Sequence, residues 1–388
     1  MKPMALYLHI PFCRRKCSYC DFCSFPGHEE DFLPYLDALK REFRQSWNPE
    51  WEIASLYIGG GTPTVLSPNA LVDLVQTLKS AASIRPGAEV TIEANPGTVR
   101  AEGLAQLLAA GVNRLSIGAQ SSQDRLLQVL GRIHTAAEVE ATVAAARREG
   151  FTNISLDLIY GLPGESLADW EQTLAWATAL QPDHLSCYGL QVEAGTPLFG
   201  MVRDGTAHLP EEDEASAMFL ANTQFLPTAG YQQYEISNFA RLPSTDQDRS
   251  DDYRCRHNLT YWGSGDYLGL GLAACSTVAD RRWTNVATLT AYFQALAGGT
   301  APTAEVETLT PRQCMAEMLM LGFRLRTGPD PAAFRARWGM TIDEALGGRV
   351  EPLLAGGFLH KAADTYRLTT QGMLVSNAVL TRLLAPLL

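Results

Sequence analysis

Short apolar runs alternate along the first half of the chain with longer stretches in which apolar residues recur every three or four positions. The short runs predict six strands, at residues 5–10, 53–58, 89–93, 114–118, 154–158 and 184–191. The longer stretches have the period of amphipathic helices and lie at residues 34–45, 70–82, 136–148 and 167–179. Such a β-α rhythm predicts parallel strands joined by crossover helices, in either an open doubly wound sheet or a barrel.

The rhythm changes after about residue 200. A helix is predicted over 211–229, a strand over the QYEIS run at 233–237, and a boundary or lid in the polar loop at 242–253. Beyond residue 302, two or three short helices precede the apolar runs GGFL and TYRL, a pattern that resembles a small winged-helix-like module. We therefore predict an α/β core over 1–200, an extension over 201–300 that carries the lid loop, and an α+β accessory domain over 301–388.

Composition narrows the range of partners. The chain has 31 basic and 42 acidic residues, a net charge of -11, which argues against a nucleic-acid-binding surface. Because no apolar run reaches the roughly 18–20 residues needed to cross a bilayer, any membrane contact is expected to be peripheral. Eight cysteines in 388 residues, without a secretory pattern at the start, predict a cytoplasmic protein with reduced thiols.

Unusual residues follow the predicted strands at their carboxyl ends. Cys13, the glycine run at 59–61 with Thr62, Glu93, Gln120 and Asp157 all occupy such positions. In both candidate architectures this is the edge at which ligands bind. The sequence therefore predicts one ligand site at the carboxyl-terminal mouth of the sheet.

Four cysteines fall within eleven residues in the segment C13-RRK-C17-SY-C20-DF-C23. Thiolates this close together can converge on zinc or on an iron-sulfur cluster. Zinc would use all four, whereas a [4Fe-4S] cluster held by three leaves one iron open to a small chelating ligand. The glycine run after the second strand allows a backbone to approach an amino acid or phosphate group closely.

The motifs together resemble those of a known family. The C-x3-C-x2-C loop with Tyr19, followed by GGGTPT, is similar to the radical S-adenosylmethionine superfamily. Within it, the chain resembles the anaerobic coproporphyrinogen III oxidases and their haem-chaperone relatives, the HemN/HemW family, through the motifs YLHIPFC, IEANPGT, NRLSIGAQS, LGRIH and LDLIYGLPGES. The resemblance runs from Tyr7 to about residue 280 and implies a partial (β/α)6 barrel of the TIM type.

The resemblance also implies cofactors and the residues that hold them. Cys13, Cys17 and Cys20 would bind a [4Fe-4S] cluster whose open iron takes the amino and carboxylate groups of S-adenosylmethionine. The family positions that contact this cofactor, or a second molecule of it, correspond to Tyr7, Tyr19, Gly60, Gly61, Thr62, Glu93, Gln120, Arg132 and Asp157. Structural roles are the alternatives: Glu93 could cap a helix, Gln120 and Thr62 could satisfy turns, and Arg132 could pair with Asp157.

Three departures from the oxidases favour the chaperone branch. Phe22 stands where the oxidases carry a fourth cysteine, with Cys23 one residue later, and only 12 residues precede Cys13. The run HNLTYW at 257–262 resembles the HNxxYW signature of the chaperones, which implies haem contacts from His257, Tyr261 and Trp262. An imidazole is a suitable axial ligand for haem iron, and Cys255 is a competing ligand.

We therefore expect a haem chaperone that delivers haem to client haem proteins such as respiratory enzymes. The alternatives are an oxygen-independent coproporphyrinogen III oxidase that makes protoporphyrinogen IX by radical decarboxylation, and a zinc-stabilised binding module. Catalytic turnover, peripheral membrane contact and a homodimer stay open. Cys23 is left unassigned, and the dispersed Cys187, Cys275 and Cys314 are expected to fill the core.

Overall fold

The computed structural model describes residues 1–241, 252–385 and 387. Its strands are β1 (Lys2–Ile10), β2 (Phe12–Cys13), β3 (Phe25–Pro26), β4 (Trp51–Gly60), β5 (Ser83–Ala94), β6 (Arg114–Gln120), β7 (Ile154–Tyr160), β8 (His184–Gly189), β9 (Tyr231–Gln233), β10 (Asn238–Arg241), β11 (Tyr267–Leu270), β12 (Cys275–Val278), β13 (Arg281–Asn285), β14 (Thr303–Thr308), β15 (Leu359–Ala362) and β16 (Thr365–Leu368).

Helices lie between most of these strands. They are α1 (Phe32–Ser46), α2 (Pro68–Ala81), α3 (Ala101–Ala110), α4 (Asp124–Val129), α5 (Ala136–Arg148), α6 (Leu167–Ala179), α7 (Pro197–Arg203), α8 (Glu212–Thr228), α9 (Arg256–Trp262), α10 (Leu289–Ala297), α11 (Pro311–Gly322), α12 (Pro331–Trp338), α13 (Ile342–Leu346), α14 (Glu351–Ala355), α15 (Thr370–Leu374) and α16 (Ser376–Leu384).

One twelve-stranded sheet forms the core, in the order β14-β13-β12-β11-β1-β4-β5-β6-β7-β8-β10-β9. Strands β1 and β4 to β8 are parallel neighbours, and β11 joins β1 in parallel from the other side. Strands β1 and β4 to β8 correspond to the six strands predicted from the sequence, so the α/β class is confirmed. The outer strands are antiparallel and extend the sheet at both edges.

Local signals explain where the crossover helices begin. Thr135 at the start of α5 and Ser166 at the start of α6 each form a capping box with an acidic residue three positions later. This arrangement satisfies backbone N–H groups that have no partner inside the helix. The helices consequently begin at the residues predicted, and their apolar faces cover the sheet.

The strand predicted over the QYEIS run is wrong. The structure has two short antiparallel strands, β9 and β10, joined by a turn through residues 234–237, with Gln233 opposite Phe239. The Glu235 carboxylate accepts the Ser237 N–H at 2.9 Å and also a hydrogen bond from Asn238, so side chains satisfy the turn. Most of the predicted lid loop, residues 242–251, lies outside the described residues.

The C-terminal part has its own apolar core, which includes Phe334, Leu353 and Leu383. Helices α11 to α16 surround the antiparallel hairpin of β15 and β16, which confirms an α+β accessory domain. The Arg326 N–H donates to the Tyr234 carbonyl at 3.0 Å and connects this domain to the β9–β10 turn. None of the helices among the described residues is both long and apolar enough to cross a membrane.

Candidate cofactor site

A cavity of about 600 Å³ occupies the interior of the barrel. Trp262 apart, it is lined by all of the predicted site residues: Tyr7, Cys13, Cys17, Tyr19, Cys20, Gly60, Gly61, Thr62, Glu93, Gln120, Arg132, Asp157, His257 and Tyr261. The fold therefore brings the residues predicted for the cluster, the nucleotide and haem into one continuous space.

The cysteine loop closes one end of this cavity. Cys13 ends β2, and the loop that follows is fastened to the end of α4, because the Ser18 N–H donates to the Leu130 carbonyl at 3.0 Å. The Cys20 N–H donates to the Cys17 carbonyl at 3.3 Å, which turns the loop tightly. Three thiols, those of Cys13, Cys17 and Cys20, consequently line the same end of the cavity.

Cys23 has a different environment. Its thiol lies 3.5 Å from the Ala287 carbonyl oxygen, and the residue does not line the cavity. The Cys23 carbonyl accepts a hydrogen bond from His9 Nε2 at 2.7 Å, which holds the backbone in this orientation. Three of the four thiols therefore share the cavity.

The spacing of the thiols bears on the choice between zinc and a cluster. Tetrahedral zinc with Zn–S bonds of about 2.3 Å brings its sulfur ligands to about 3.8 Å from one another. Among the described residues, only His28, Glu30 and Asp31 place three ligand atoms within 4.8 Å of one another. The thiols are thus spread more widely than one zinc ion requires, whereas a cluster takes each thiolate at a different iron.

The glycine run after β4 forms a cradle beside the thiols. Gly60 has a φ of +113°, and a Cβ there would lie 2.6 Å from the His9 ring. A Cβ on Gly61 would lie 2.6 Å from the Phe12 carbonyl oxygen and 3.0 Å from Cys13 Sγ. Larger residues are sterically excluded, so exposed backbone borders the space next to the thiols.

Hydrogen bonds connect two of the thiols through three side chains. Thr62 Oγ1 donates to Cys13 Sγ at 3.7 Å, and Asn95 Nδ2 donates to Thr62 Oγ1 at 2.7 Å. Asn95 Oδ1 accepts from Arg132 Nη2 at 2.7 Å, and Arg132 Nη1 lies 3.6 Å from Cys17 Sγ. These three connected side chains orient hydrogen-bond donors toward the two sulfur atoms. Contacts of this kind stabilise thiolates at a cluster.

Glu93 lies at the carboxyl end of β5 and points into the cavity. Its carboxylate accepts the Tyr57 hydroxyl at 2.8 Å and the Gly60 N–H at 3.0 Å, so it does not cap a helix. Burial raises the pKa of Glu93 to about 7, against the lowering effect of the Tyr57 hydrogen bond. A buried carboxylate of this kind can accept from hydroxyl or ammonium donors of a ligand.

Gln120 and Asp157 lie on neighbouring strands. Gln120 has a φ of +67°, and the register of β6 against β7 shifts between Gly118 and Gln120. Such a bulge redirects a side chain, here into the cavity. Asp157 accepts hydrogen bonds from Ser116 at 2.9 Å and Ser186 at 2.7 Å. Arg132 donates elsewhere, to Asn95 and Gly118, so the alternative of an Arg132–Asp157 pair is wrong.

The HNxxYW run forms helix α9 at the opposite end of the cavity. His257 is 2% exposed, its Nδ1 lies 3.0 Å from the Ser55 hydroxyl, and its Nε2 lies 2.8 Å from the Tyr261 hydroxyl. Burial, followed by the charge of Arg114, lowers the pKa of His257 to about 3, so the imidazole is neutral. Trp262 lies outside the cavity, with Arg324 above its ring.

Several lining residues were missed by sequence reasoning. They are Tyr57, Asn95, Arg114, Ser116, His184 and Ser186. Asn95 could have been found, because it stands two positions after Glu93 in IEANPGT and strand alternation places both on one side. Arg114 and the two serines carry no comparable signal, because a polar residue inside an apolar strand is also common on an exposed face.

The dispersed cysteines differ from one another. Cys187 and Cys314 are buried, as predicted for residues that fill the core. Cys275 is exposed, and its thiol lies 3.3 Å from the Thr284 hydroxyl, so the prediction is wrong there. The reason is that Cys275 starts β12, an antiparallel strand outside the parallel part of the sheet.

Comparisons with known proteins agree with this geometry. The profile of the Radical SAM superfamily matches residues 7–177, and that of the HemN C-terminal domain matches residues 309–375. The protein named heme chaperone HemW from Bacillus subtilis is 33% identical over 96% of this chain and 97% of its own length. The chain belongs to the HemN/HemW family.

Other members of the HemN/HemW family are similar over their whole length. The protein of the same name from Escherichia coli is 34% identical over 99% of both chains, and one from Mycobacterium tuberculosis is 36% identical over 99% of this chain and 95% of its own. The solved structure of E. coli coproporphyrinogen III oxidase (HemN), described as a Radical SAM enzyme, has a TM-score of 0.83 at 25% identity and covers 98% of this chain and 90% of that one. The radical S-adenosylmethionine fold implies a [4Fe-4S] cluster and S-adenosylmethionine as cofactors.

Proposed function

We propose that this member of the HemN/HemW family is a haem chaperone that binds a [4Fe-4S] cluster, S-adenosylmethionine and haem and delivers haem to client haem proteins such as respiratory enzymes. The observation that carries the proposal is full-length similarity to proteins named heme chaperone, at 32–36% identity. The cavity supports it, because His257 and Tyr261 line the same space as the three thiols.

The cluster is proposed to bind Cys13, Cys17 and Cys20. When bound, a reduced cluster of this kind supplies an electron to a sulfonium held at its open iron. The chain's own contribution is to orient the thiolates, through the Thr62 contact to Cys13 and the Arg132 contact to Cys17.

The nucleotide is proposed to lie beside the glycine cradle. The backbone of Gly60 and Gly61 leaves room for a ligand close to the thiols, and Glu93 offers a carboxylate to ribose hydroxyls or to the ammonium group. Tyr7, Tyr19, Thr62, Gln120, Arg132 and Asp157 line the remainder of this part of the cavity. Together they would exclude water from the sulfonium.

Haem is proposed to be ligated by His257. The Ser55 hydroxyl at Nδ1 would hold the imidazole while Nε2 exchanges its contact with the Tyr261 hydroxyl for iron. Cys255 is the weaker candidate, because burial raises the pKa of its thiol to about 12. Trp262 lies outside the cavity and would contact haem only after a rearrangement of α9.

Haem titration of protein reconstituted under nitrogen tests this proposal. His257→Ala is expected to weaken haem binding about tenfold or more and to change the Soret spectrum, since an axial ligand is lost. Tyr261→Phe removes the competing hydroxyl and should retain binding. His360→Ala replaces an exposed histidine of the accessory domain and is the matched control. An unchanged affinity in His257→Ala would remove this residue as the ligand.

Coproporphyrinogen III oxidase activity is the second candidate. The observation in its favour is the structural match to E. coli HemN together with a cavity lined by every residue that the resemblance assigns to the nucleotide. Repeated vinyl formation from coproporphyrinogen III, with reductant and S-adenosylmethionine, would establish the oxidase and displace the chaperone proposal.

The cellular setting is also a proposal. All eight cysteines are free thiols, which supports a reducing cytoplasm. Respiratory clients, peripheral membrane contact and a homodimer stay predictions.

A further inference from the structure

The lower half of the barrel interior is unusually polar. Inward positions of parallel barrels are generally filled by branched apolar side chains. Here the inward positions of β6 and β8 carry Arg114, Ser116, His184 and Ser186, all of which line the cavity. The interior is therefore built to contact a polar group well below the thiols.

Arg114 is the cation of this polar layer. It begins β6, at the end of the strand opposite Gln120, and is 2% exposed. Among the described residues no acceptor bonds its Nε, and none of the ion pairs within 4.0 Å includes Arg114. A guanidinium is charged at every relevant pH, and a buried one without an anionic contact is costly.

Glu89 contributes negative charge near Arg114, but its oxygens accept hydrogen bonds from other groups. They accept the N–H groups of Arg256 and His257, each at 3.0 Å, and the Cys255 thiol at 3.4 Å. This carboxylate consequently caps the first turn of α9. The guanidinium of Arg114 is left facing the cavity.

Burial lowers the pKa of Arg114, but nearby groups, Cys255 and Glu89 first among them, raise it further, so the guanidinium stays charged. Burial, followed by the charge of Arg114, lowers the pKa of both His184 and His257, which keeps the two imidazoles neutral. Burial also raises the pKa values of Tyr57 and Tyr234, so both phenols stay protonated. The guanidinium of Arg114 is therefore a charged hydrogen-bond donor at the floor of the cavity.

Ligands reach this floor from the cluster end. Among the described residues that line the cavity, the exposed ones all belong to the cysteine loop at 15–22 or to the segment at 188–193. Helix α9 occupies the opposite end. A ligand that enters beside the thiols and extends inward meets Arg114 last.

We propose that Arg114 is the receptor for a carboxylate group of a ligand bound in this cavity. The inference rests on the proposed function and deepens it, because both proposed ligands carry such a group. Its source is either a propionate of haem or the methionyl carboxylate of a second S-adenosylmethionine molecule, because the carboxylate of the first is proposed to bind the open iron. The two sources are separated by the experiment.

The first arm compares haem with its dimethyl ester, in which both propionates are blocked, by titration of the reconstituted protein. The wild type should bind haem at least tenfold more tightly than the ester. Arg114→Met should lower haem affinity by about tenfold and leave the affinity for the ester unchanged, so the preference disappears. Arg15→Met removes an exposed cation at the mouth of the same cavity and should retain the preference.

The second arm repeats the comparison with S-adenosylmethionine and decarboxylated S-adenosylmethionine. If the nucleotide supplies the carboxylate, the preference for S-adenosylmethionine falls in Arg114→Met, whereas the preference for haem over its ester is the same as in the wild type. Either pattern supports the receptor and names its ligand.

Two results would overturn the inference: both preferences survive in Arg114→Met, or the haem preference is lost in Arg15→Met instead. Should Arg114→Met not fold, as judged by its thermal unfolding, Arg114→Lys retains the charge without the planar fork. The preference of Arg114→Lys for the ligand that carries the carboxylate should then fall below that of the wild type. Preferences equal to those of the wild type would contradict the proposal. A wild type that binds no haem refutes the chaperone function, and the nucleotide arm still decides the role of Arg114.

Discussion

Four identical side chains in one short loop are distinguished by the atoms around them. Cys13 and Cys17 each lie near a hydrogen-bond donor, from Thr62 and Arg132 respectively, whereas the Cys23 thiol faces the Ala287 carbonyl oxygen. Donors stabilise a thiolate, and a carbonyl oxygen stabilises a protonated thiol. The difference supports the proposed ligand role of Cys13 and Cys17 and favours a structural contact for Cys23.

Substitution of single cysteines tests this distinction. Cys23→Ser should retain about four irons per chain after reconstitution, whereas Cys17→Ser should lose most of the cluster. Iron and acid-labile sulfide analysis, with electron paramagnetic resonance of the reduced protein, measures the outcome. Loss of iron in Cys23→Ser, or zinc in place of iron, would show that the fourth thiol is a ligand.

At the residue scale, sequence reasoning located groups whose chemistry is distinctive. Thiols and a glycine triplet carry a signal in their spacing, so Cys13 and Gly60 were predictable. Arg114 was not, because nothing in the sequence tells an inward arginine from an outward one. Trp262 was predicted to contact haem from its place in a motif, but the motif does not fix the direction of its side chain, which lies outside the cavity.

At the scale of the element, strand β6 ends in a strained conformation. Gln120 adopts a positive φ of 67° beside the register shift. A non-glycine residue in this region costs about 1–2 kcal/mol, and such strain persists where surrounding structure enforces it. The bulge directs Gln120 into the cavity at the expense of local stability.

Gln120→Gly should separate these two effects. Release of strain, partly offset by the entropy of glycine, is expected to stabilise the protein by roughly 0.5–1 kcal/mol. Affinity for S-adenosylmethionine should fall about fivefold through loss of the amide. Urea unfolding and equilibrium binding measure the two quantities. Ala363→Gly relieves a similar φ of 48° in the β15–β16 turn and should leave binding unchanged; tighter binding in Gln120→Gly would contradict the assignment.

The parallel strands and their helices were predictable because burial on both faces makes each strand a short apolar run. The β9–β10 hairpin was not. Its turn residues, Tyr234 to Ser237, include Tyr and Ile and read as a strand, whereas Glu235 satisfies the turn through its side chain. The strand propensity of these residues is outweighed by the hydrogen bond of the Glu235 side chain, which the sequence does not show.

At the scale of the whole molecule, one buried carboxylate joins distant parts of the chain. Glu42 in α1 accepts the Gly271 N–H at 2.8 Å, the Asn285 amide at 2.5 Å and the Tyr292 hydroxyl at 2.6 Å. It therefore holds the first crossover helix to the segment after β11, to β13 and to α10. Burial raises the pKa of Glu42 from 4.5 to about 7 despite these hydrogen bonds.

This shift makes stability depend on pH. Between pH 4.5 and 7 the folded state binds a proton at Glu42 that the unfolded state releases, so the free energy of unfolding falls as pH rises through this range. In Glu42→Gln the free energy of unfolding should fall by about 1–3 kcal/mol less over this range than in the wild type. Urea unfolding at pH 5 and pH 8 under nitrogen measures it. In the control Glu50→Gln, at an exposed carboxylate, the free energy of unfolding should fall with pH as it does in the wild type. An equally steep fall in Glu42→Gln would contradict the prediction.

The position of α9 at one end of the cavity bears on the order in which ligands bind and leave. Helix α9 lies at one end of the cavity, and the exposed lining residues among those described lie at the other, so we expect ligands to enter and leave past the thiols. We therefore expect a ligand bound beside α9 to enter before the nucleotide and to leave after it. Transfer of haem to a recipient protein would then require the nucleotide to dissociate first, so occupancy of the nucleotide position would control haem release.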